Sequence, residues 1–190
     1  TALSLGFLNP DNSNFNIGQR NIIGLDVFAQ KQFNSFSSWL SYSLNQSQSR
    51  FENLNNNKDF TSKSNVTHSL SAALSYKLNG FQFALGWKWQ TGKPFTIAKD
   101  SIDGLEFNDG INTVELPIYH RLDLSSTYDF KLSKYNKLRG EIGLSIRNIY
   151  NRKSLISKEY RGNNSIGDPI EIIEKLSIGI TPNLMFRIYW

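Results

Sequence analysis

Apolar and polar residues alternate one for one through seven stretches of this chain, and a period of two is the period of a β-strand. In the first stretch Ile23, Leu25, Val27 and Ala29 alternate with Gly24, Asp26, Phe28 and Gln30. In the second, Leu40, Tyr42 and Leu44 alternate with Ser41, Ser43 and Asn45. The third sets Leu70, Ala72, Leu74, Tyr76 and Leu78 against Ser69, Ser71, Ala73, Ser75 and Lys77. The fourth sets Phe81, Phe83, Leu85, Trp87 and Trp89 against Gln82, Ala84, Gly86, Lys88 and Gln90. The fifth has Leu122, Leu124, Tyr128 and Phe130 against Arg121, Asp123, Ser125, Thr127 and Asp129. The sixth has Ile142, Leu144 and Ile146 against Glu141, Gly143, Ser145 and Arg147. The last is expected to run from about Ile170 to Trp190, and Thr1–Asn9 is a candidate for an eighth strand or the tail of one.

The turns fix how these strands pair. Leu78-Asn79-Gly80-Phe81 is a two-residue hairpin signal, because a type I′ turn needs positive φ at both central positions. It predicts Leu78 opposite Phe81, Tyr76 opposite Phe83, Leu74 opposite Leu85, and Ala72 opposite Trp87. Treating Asn34-Ser35 the same way predicts Ala29 opposite Leu40, Val27 opposite Tyr42, and Leu25 opposite Leu44. Both turns place apolar residues against apolar residues on one face, which a slip of one residue would destroy.

Connections alternate in length. Short turns fall at Asn34-Ser35, Asn79-Gly80 and Ser133–Asn136, and long polar loops at about Gln46–Thr67, Thr91–Tyr119 and Asn151–Pro169. Outer-membrane barrels alternate in this way, with short periplasmic turns and long outer loops. The short turns are therefore expected on one side of a membrane together with Trp190. The loops around Asn56, Asp103 and Asn164 are expected on the other. The apolar face carries wide aromatics near strand ends (Trp87, Trp89, Tyr128, Phe130 and Trp190), as an interface girdle does. A soluble β-barrel also alternates its strands, but it does not collect its long loops at one end so regularly.

Composition narrows the alternatives. The 190 residues include 13 Phe, 8 Tyr and 4 Trp but no Cys, so a disulfide framework and a thiolate metal site are out. No run approaches the roughly 18 apolar residues of a membrane helix. No signal peptide is visible at Thr1, so the chain is expected to be mature, trimmed, or a piece of something longer. A formal charge of +5 raises nucleic acid as a partner, but no Lys/Arg block of the required density appears and that reading is set aside.

The last residues close the pattern. Leu184, Phe186, Ile188 and Trp190 alternate with Asn183, Met185, Arg187 and Tyr189, and the chain stops on an aromatic. Outer-membrane barrels end on such a strand, and their assembly machinery reads it. These four residues are the candidate C-terminal assembly signal. The fold class expected is all-β: an antiparallel transmembrane β-barrel segment of about seven or eight strands spanning residues 1–190.

Five segments resemble the late barrel strands of TonB-dependent outer-membrane receptors, in the right order. They are Gly24-Leu-Asp-Val, Ser38-Trp-Leu-Ser-Tyr-Ser-Leu, Trp87-Lys-Trp-Gln-Thr-Gly-Lys-Pro-Phe-Thr96, Tyr119-His-Arg-Leu-Asp-Leu-Ser125 and Arg147-Asn-Ile-Tyr-Asn-Arg152. The resemblance implies energy-coupled uptake through a barrel of about 22 strands. It implies a plug domain and a TonB-contacting segment, with TonB–ExbB–ExbD as the energy source. No plug precedes these strands, so the chain is similar to the C-terminal third of such a receptor. Implied partners are outer-membrane lipid, the remaining barrel strands and plug, and the barrel assembly machinery. The implied location is the outer membrane of a Gram-negative bacterium. Two alternatives are a small standalone eight-stranded barrel with a structural or adhesion role, and a barrel fragment bound as client or accessory chain in an assembly complex.

Catalytic motifs are absent. His68 and His120 each sit where a loop enters a strand and have no partner motif. No nucleophile elbow and no phosphate loop is present. Neither enzymatic activity nor a cofactor is expected. Asp100, Asp103, Glu106 and Asp109 concentrate carboxylates in an outer loop and are the candidate ligands for an oxygen-preferring ion, although their spacing does not follow the EF-hand pattern. Thr91-Gly-Lys-Pro-Phe95 reads as a turn device. Asp26, Arg121, Asp123, Asp129, Glu141 and Arg147 fall on the polar side of their strands and are expected to face a lumen. There they pair with one another, or meet a plug or a polar substrate path. Asp123 and Arg147 are expected to form a cross-strand pair. Lys31, Lys77, Lys131, Lys134, Lys137 and Arg139 gather near the short turns as a solvated or headgroup-contacting rim.

Overall fold

A computed structural model describes residues 18–52, 54–101, 104–107, 110–133, 138–161 and 171–190, with side chains for all of these except 98–101, 104–107 and 161. The strands in chain order are β1 (Gly18–Phe33), β2 (Phe36–Phe51), β3 (Phe60–Thr61), β4 (His68–Leu78), β5 (Phe81–Gln90), β6 (Pro94–Phe95) and β7 (Ala98–Ser101). They continue as β8 (Gly104–Phe107), β9 (Val114–Glu115), β10 (Tyr119–Lys131), β11 (Arg139–Arg147), β12 (Leu155–Arg161), β13 (Glu171–Leu176) and β14 (Thr181–Tyr189). A single 3-10 turn, Asn55–Asn57, follows β2, and no α-helix occurs among the described residues.

Seven strands form one antiparallel meander in the order β1-β2-β4-β5-β10-β11-β14, and β3 pairs with β2. Each neighbour follows the last in the order expected for hairpins joined end to end. The turn chemistry acts as the sequence indicates. Asn79 and Gly80 sit at φ 48° and 85°, and Leu78 pairs with Phe81, Tyr76 with Phe83, Leu74 with Leu85, and Ala72 with Trp87. Asn34 sits at φ 48°, and Ala29 pairs with Leu40, Val27 with Tyr42, and Leu25 with Leu44. Among the described residues no pairing joins β1 to β14, so the sheet is open and these two strands are its edges. The stretch Thr1–Asn9 lies outside the described residues.

The strands differ from expectation in extent. Both β1 and β2 run for 16 residues, well past the alternation that identifies them. The last stretch is two strands, not one: β13 ends at Leu176 and β14 begins at Thr181. β13 leaves the main sheet to pair with β12, which rises out of the loop at 151–169. Two cross-strand ion pairs, Lys158–Glu174 at 2.9 Å and Lys175–Glu159 at 2.5 Å, accompany this hairpin. The loop between β5 and β10 likewise holds two small pairings, β6 with β9 and β7 with β8.

Burial is inverted relative to a water-soluble domain. Among the described residues the buried apolar side chains are Leu116 and Pro94 alone, whereas Ser47, Ser49, Ser62, Asn65, Asn148 and Ser154 are buried. Leu25, Leu144, Phe186 and Leu184 are 58%, 51%, 59% and 71% exposed. There is no hydrophobic core between layers, because a second layer over the apolar face is absent among the described residues.

Candidate functional site

Residues directly opposite across an antiparallel ladder share a face, so the registers assign both faces of the sheet. One face is apolar from edge to edge. Leu25, Leu44, Leu70, Trp89, Leu124, Ile146 and Leu184 stand on it, one from each strand of the meander. Near the short turns the same face carries a chain of ring contacts. Phe36 and Tyr76 lie 4.5 Å apart between centroids, Phe81 and Tyr128 4.3 Å, Tyr128 and Phe130 6.1 Å, and Phe130 and Phe186 6.5 Å. Trp87 and Trp89 stand toward the other end. Phe186, Ile188 and Leu184 of the C-terminal strand belong to this face and are exposed, as is Trp190 beyond it.

The opposite face is polar. Asp26 stands opposite Ser43, Arg121 opposite Lys88, Asp123 opposite Gly86, Asp129 opposite Glu141, and Arg147 opposite Thr181. All six residues expected on one polar face are there. Their partners are only partly those expected. Arg121 Nε donates to Asp123 Oδ2 at 2.9 Å, and Arg121 Nη1 donates to the Tyr119 hydroxyl at 3.1 Å. Glu141 accepts the Tyr189 hydroxyl at 2.6 Å and lies 3.6 Å from Arg187. The expected Asp123–Arg147 pair does not form. The second Asp123 oxygen accepts the backbone N–H of Asn148 at 2.8 Å, so both oxygens are already engaged.

Described residues of the first long connection bond to polar-face side chains of β2, and this is why these polar residues are buried. Asn65 Oδ1 accepts the Ser47 N–H at 2.9 Å, and the Ser62 hydroxyl bonds those of Ser47 and Ser49 at 3.0 and 2.7 Å. Arg20 reaches into this cluster from β1, through Ser47. Outside it, Arg50 Nε and Nη2 donate to Asp59 at 2.7 and 2.9 Å. Both side chains are exposed, so this pair contributes little.

Two motifs have structural roles that explain their composition. Gly92 is buried because the backbone of Leu116 crosses it, and a Cβ there would lie 1.6 Å from the Leu116 carbonyl oxygen. Lys93 O accepts the Leu116 N–H at 2.9 Å, so Thr91-Gly-Lys-Pro-Phe95, expected as a turn device, instead leads from β5 into the pairing of β6 with β9. In Arg147-Asn-Ile-Tyr-Asn-Arg152, Asn148 and Asn151 adopt φ of 57° and 54°, the left-handed region Asn tolerates. Asn148 Nδ2 donates to Arg152 O and Ile178 O at 2.9 and 3.0 Å, and Asn151 Oδ1 accepts the Ile180 N–H at 3.0 Å. This turn therefore ties β11 to the segment entering β14. Nothing in the alternation marks Asn148 or Asn151; two Asn three apart just after a strand are the available signal.

Of the other candidates, His68 Nδ1 lies 2.8 Å from the Tyr42 hydroxyl, and the His120 ring meets Tyr150 edge-on at 5.6 Å. Asp100 falls in β7 and Glu106 in β8, and Asp103 and Asp109 lie outside the described residues.

At the long-loop end of the polar face lies a depression of about 420 Å³. Lys88, Lys93, Arg121 and Arg147 line it with Tyr119, Gln90, Leu116 and Ile178, among others. No carboxylate is among the lining residues. These cations come from β5, the turn after it, β10 and β11, and the sequence reading singles out only the two arginines. No family model, no curated protein and no solved structure matches the chain.

Proposed function

We propose that this chain forms part of the wall of an outer-membrane β-barrel of the receptor and transporter kind, serving TonB-dependent uptake in a Gram-negative bacterium. The observation that carries the membrane part is the bare apolar face. Seven strands about 4.8 Å apart and some nine residues long make a face of about 900 Å². Apolar patches beyond a few hundred Å² mark a surface that meets lipid or another protein.

Three further features favour lipid. β4, β5, β11 and β14 are 11, 10, 9 and 9 residues long, within the roughly 9–11 residues of a tilted membrane strand. Aromatic rings gather at the short-turn end of the apolar face, where a barrel carries an interface girdle. Described loop residues, among them Asn65, Leu116 and Ile178, meet polar-face residues, as the outer loops of a plugged barrel do over a lumen. The remaining strands and plug would complete the wall and fill it, the assembly machinery would read Leu184, Phe186, Ile188 and Trp190, and TonB–ExbB–ExbD would drive uptake. The receptor part rests on the five resembling segments.

The test is fractionation of cells expressing the full-length gene product. The protein should remain in the outer-membrane pellet after carbonate washing and migrate differently before and after boiling. A soluble protein with no heat-dependent migration would overturn the membrane reading. Reading the gene upstream of Thr1 separates the receptor from a standalone barrel: a plug-like domain supports the first, a leader directly before the strands the second.

A further inference from the structure

We propose that the depression at the long-loop end of the polar face binds a small organic anion, one that joins a phosphate or carboxylate to an apolar group. The proposal rests on reading the polar face as a lumen through which a solute arrives, and it adds the chemical class of that solute.

The register forces the charge together. Arg121 and Lys88 are directly opposite on β10 and β5, and like charges so placed are unfavourable in a sheet. Lys93 follows β5 by three residues and Arg147 ends β11, so two more cations border the same depression. Asp123, two residues along β10 from Arg121, does not relieve them. One oxygen holds Arg121 and the other holds the Asn148 N–H. The lining carries four cations and no carboxylate, and Asp123, which meets Arg121 from outside it, is shared with the Asn148 N–H. Among the described residues no side-chain hydrogen bond or ion pair engages Lys88, Lys93 or Arg147.

Arg121 differs from the other three. Asp123 and Tyr119 hold its guanidinium from two sides, so it is preorganised. The other three cations, which no such partner holds, can close on an anion while Arg121 defines its position. Charge-assisted contacts of this kind are the strong ones. Leu116 and Ile178 supply an apolar part of the lining, which a bare inorganic ion would leave unused. The volume falls within the roughly 300–1,000 Å³ of small-molecule sites.

The experiment is calorimetric titration of the full-length protein, purified in detergent, with phenyl phosphate, inorganic phosphate and benzyl alcohol. Phenyl phosphate should bind most tightly, inorganic phosphate more weakly, and benzyl alcohol not at all. The double substitution Lys88→Gln with Arg147→Gln should weaken phenyl phosphate by at least about tenfold, the loss expected for one charge-assisted contact. The single substitution Lys93→Glu, at an exposed turn, provides the same reading if the double variant does not fold. Lys31→Gln with Lys131→Gln, at the other end of the sheet, should change affinity less than about twofold, because charges beyond about 10 Å are screened. Absence of phenyl phosphate binding would overturn the proposal and leave the barrel reading standing, as the cations would then be neutralised inside the protein. Equal loss in the near and distant variants would also overturn it. Binding by a protein that fails the carbonate and boiling tests would keep the site and remove the barrel.

Discussion

The backbone N–H of Asn148 donates to the carboxylate of Asp123 at 2.8 Å, tying the turn after β11 to the long-loop end of β10. Asp123 also holds Arg121, so one carboxylate satisfies a buried turn and a guanidinium together. Asp123→Ala should destabilise the protein by about 1–3 kcal/mol, the cost of leaving a buried donor unmade. Asp123→Asn keeps an acceptor for the N–H and should cost less. Denaturant unfolding in detergent measures both. Equal cost for the two substitutions would mean that the acceptor at this position is not what matters.

The two faces of β5 give the second prediction. Leu85 stands on the apolar face opposite Leu74 and Leu124, and Gln82 on the polar face opposite Lys77 and Thr127. Leu85→Arg should cost about 2–4 kcal/mol if it meets the bilayer midplane. Gln82→Arg should be tolerated. Folding yield into lipid vesicles compares them directly, and equal tolerance would show that the apolar face does not meet lipid.

Orientation is the third. Asn34-Ser35, Asn79-Gly80 and Trp190 lie at one end of the sheet, because Lys77 N–H reaches Ser35 O at 2.9 Å, Asp129 N–H reaches Gly80 O at 2.9 Å, and Tyr189 pairs with Arg139. Asn56 lies beyond the other end. The chain has no cysteine to mask the result. A membrane-impermeant maleimide should label Asn56→Cys on intact cells and leave Asn79→Cys unlabelled. Labelling of position 79 from outside would reverse the topology.

Gly92 gives the fourth. A Cβ at this position would collide with the Leu116 carbonyl, a backbone atom that cannot swing aside. Gly92→Ala should therefore cost about 1–3 kcal/mol. It should also loosen the pairing of Pro94 with Glu115 and Phe95 with Val114. Hydrogen exchange of the Leu116 amide reports the local loss, and unchanged exchange would contradict the close approach.

The open edges give the fifth. Among the described residues β1 and β14 each present an unpaired row of backbone groups, and such rows pair readily with other strands. Residues 18–190 refolded alone in detergent should associate into mixed species, as seen by light scattering after size exclusion. A closed, monodisperse monomer would contradict the larger-barrel reading.

The alternation and the turns were sufficient for the meander. Strand periodicity is a local property, and a two-residue turn such as Asn79-Gly80 fixes register within a few residues of itself, so Leu74 opposite Leu85 is legible without any distant contact. The same logic placed Asp26, Arg121, Asp123, Asp129, Glu141 and Arg147 on one face. It did not reveal their partners. Asp123 and Arg147 face the same side, but the Asn148 N–H and Arg121 reach the carboxylate first, and only the folded turn brings Asn148 there. The β12–β13 hairpin also escaped the sequence, because its residues carry no sustained alternation and its strands pair across a long connection. The grouping of Lys88, Lys93, Arg121 and Arg147 was hidden for the related reason that they come from separate elements. Tertiary structure alone decided which charges share a depression, since that depends on how β5, β10 and β11 stack side by side and on where Leu116 crosses Gly92.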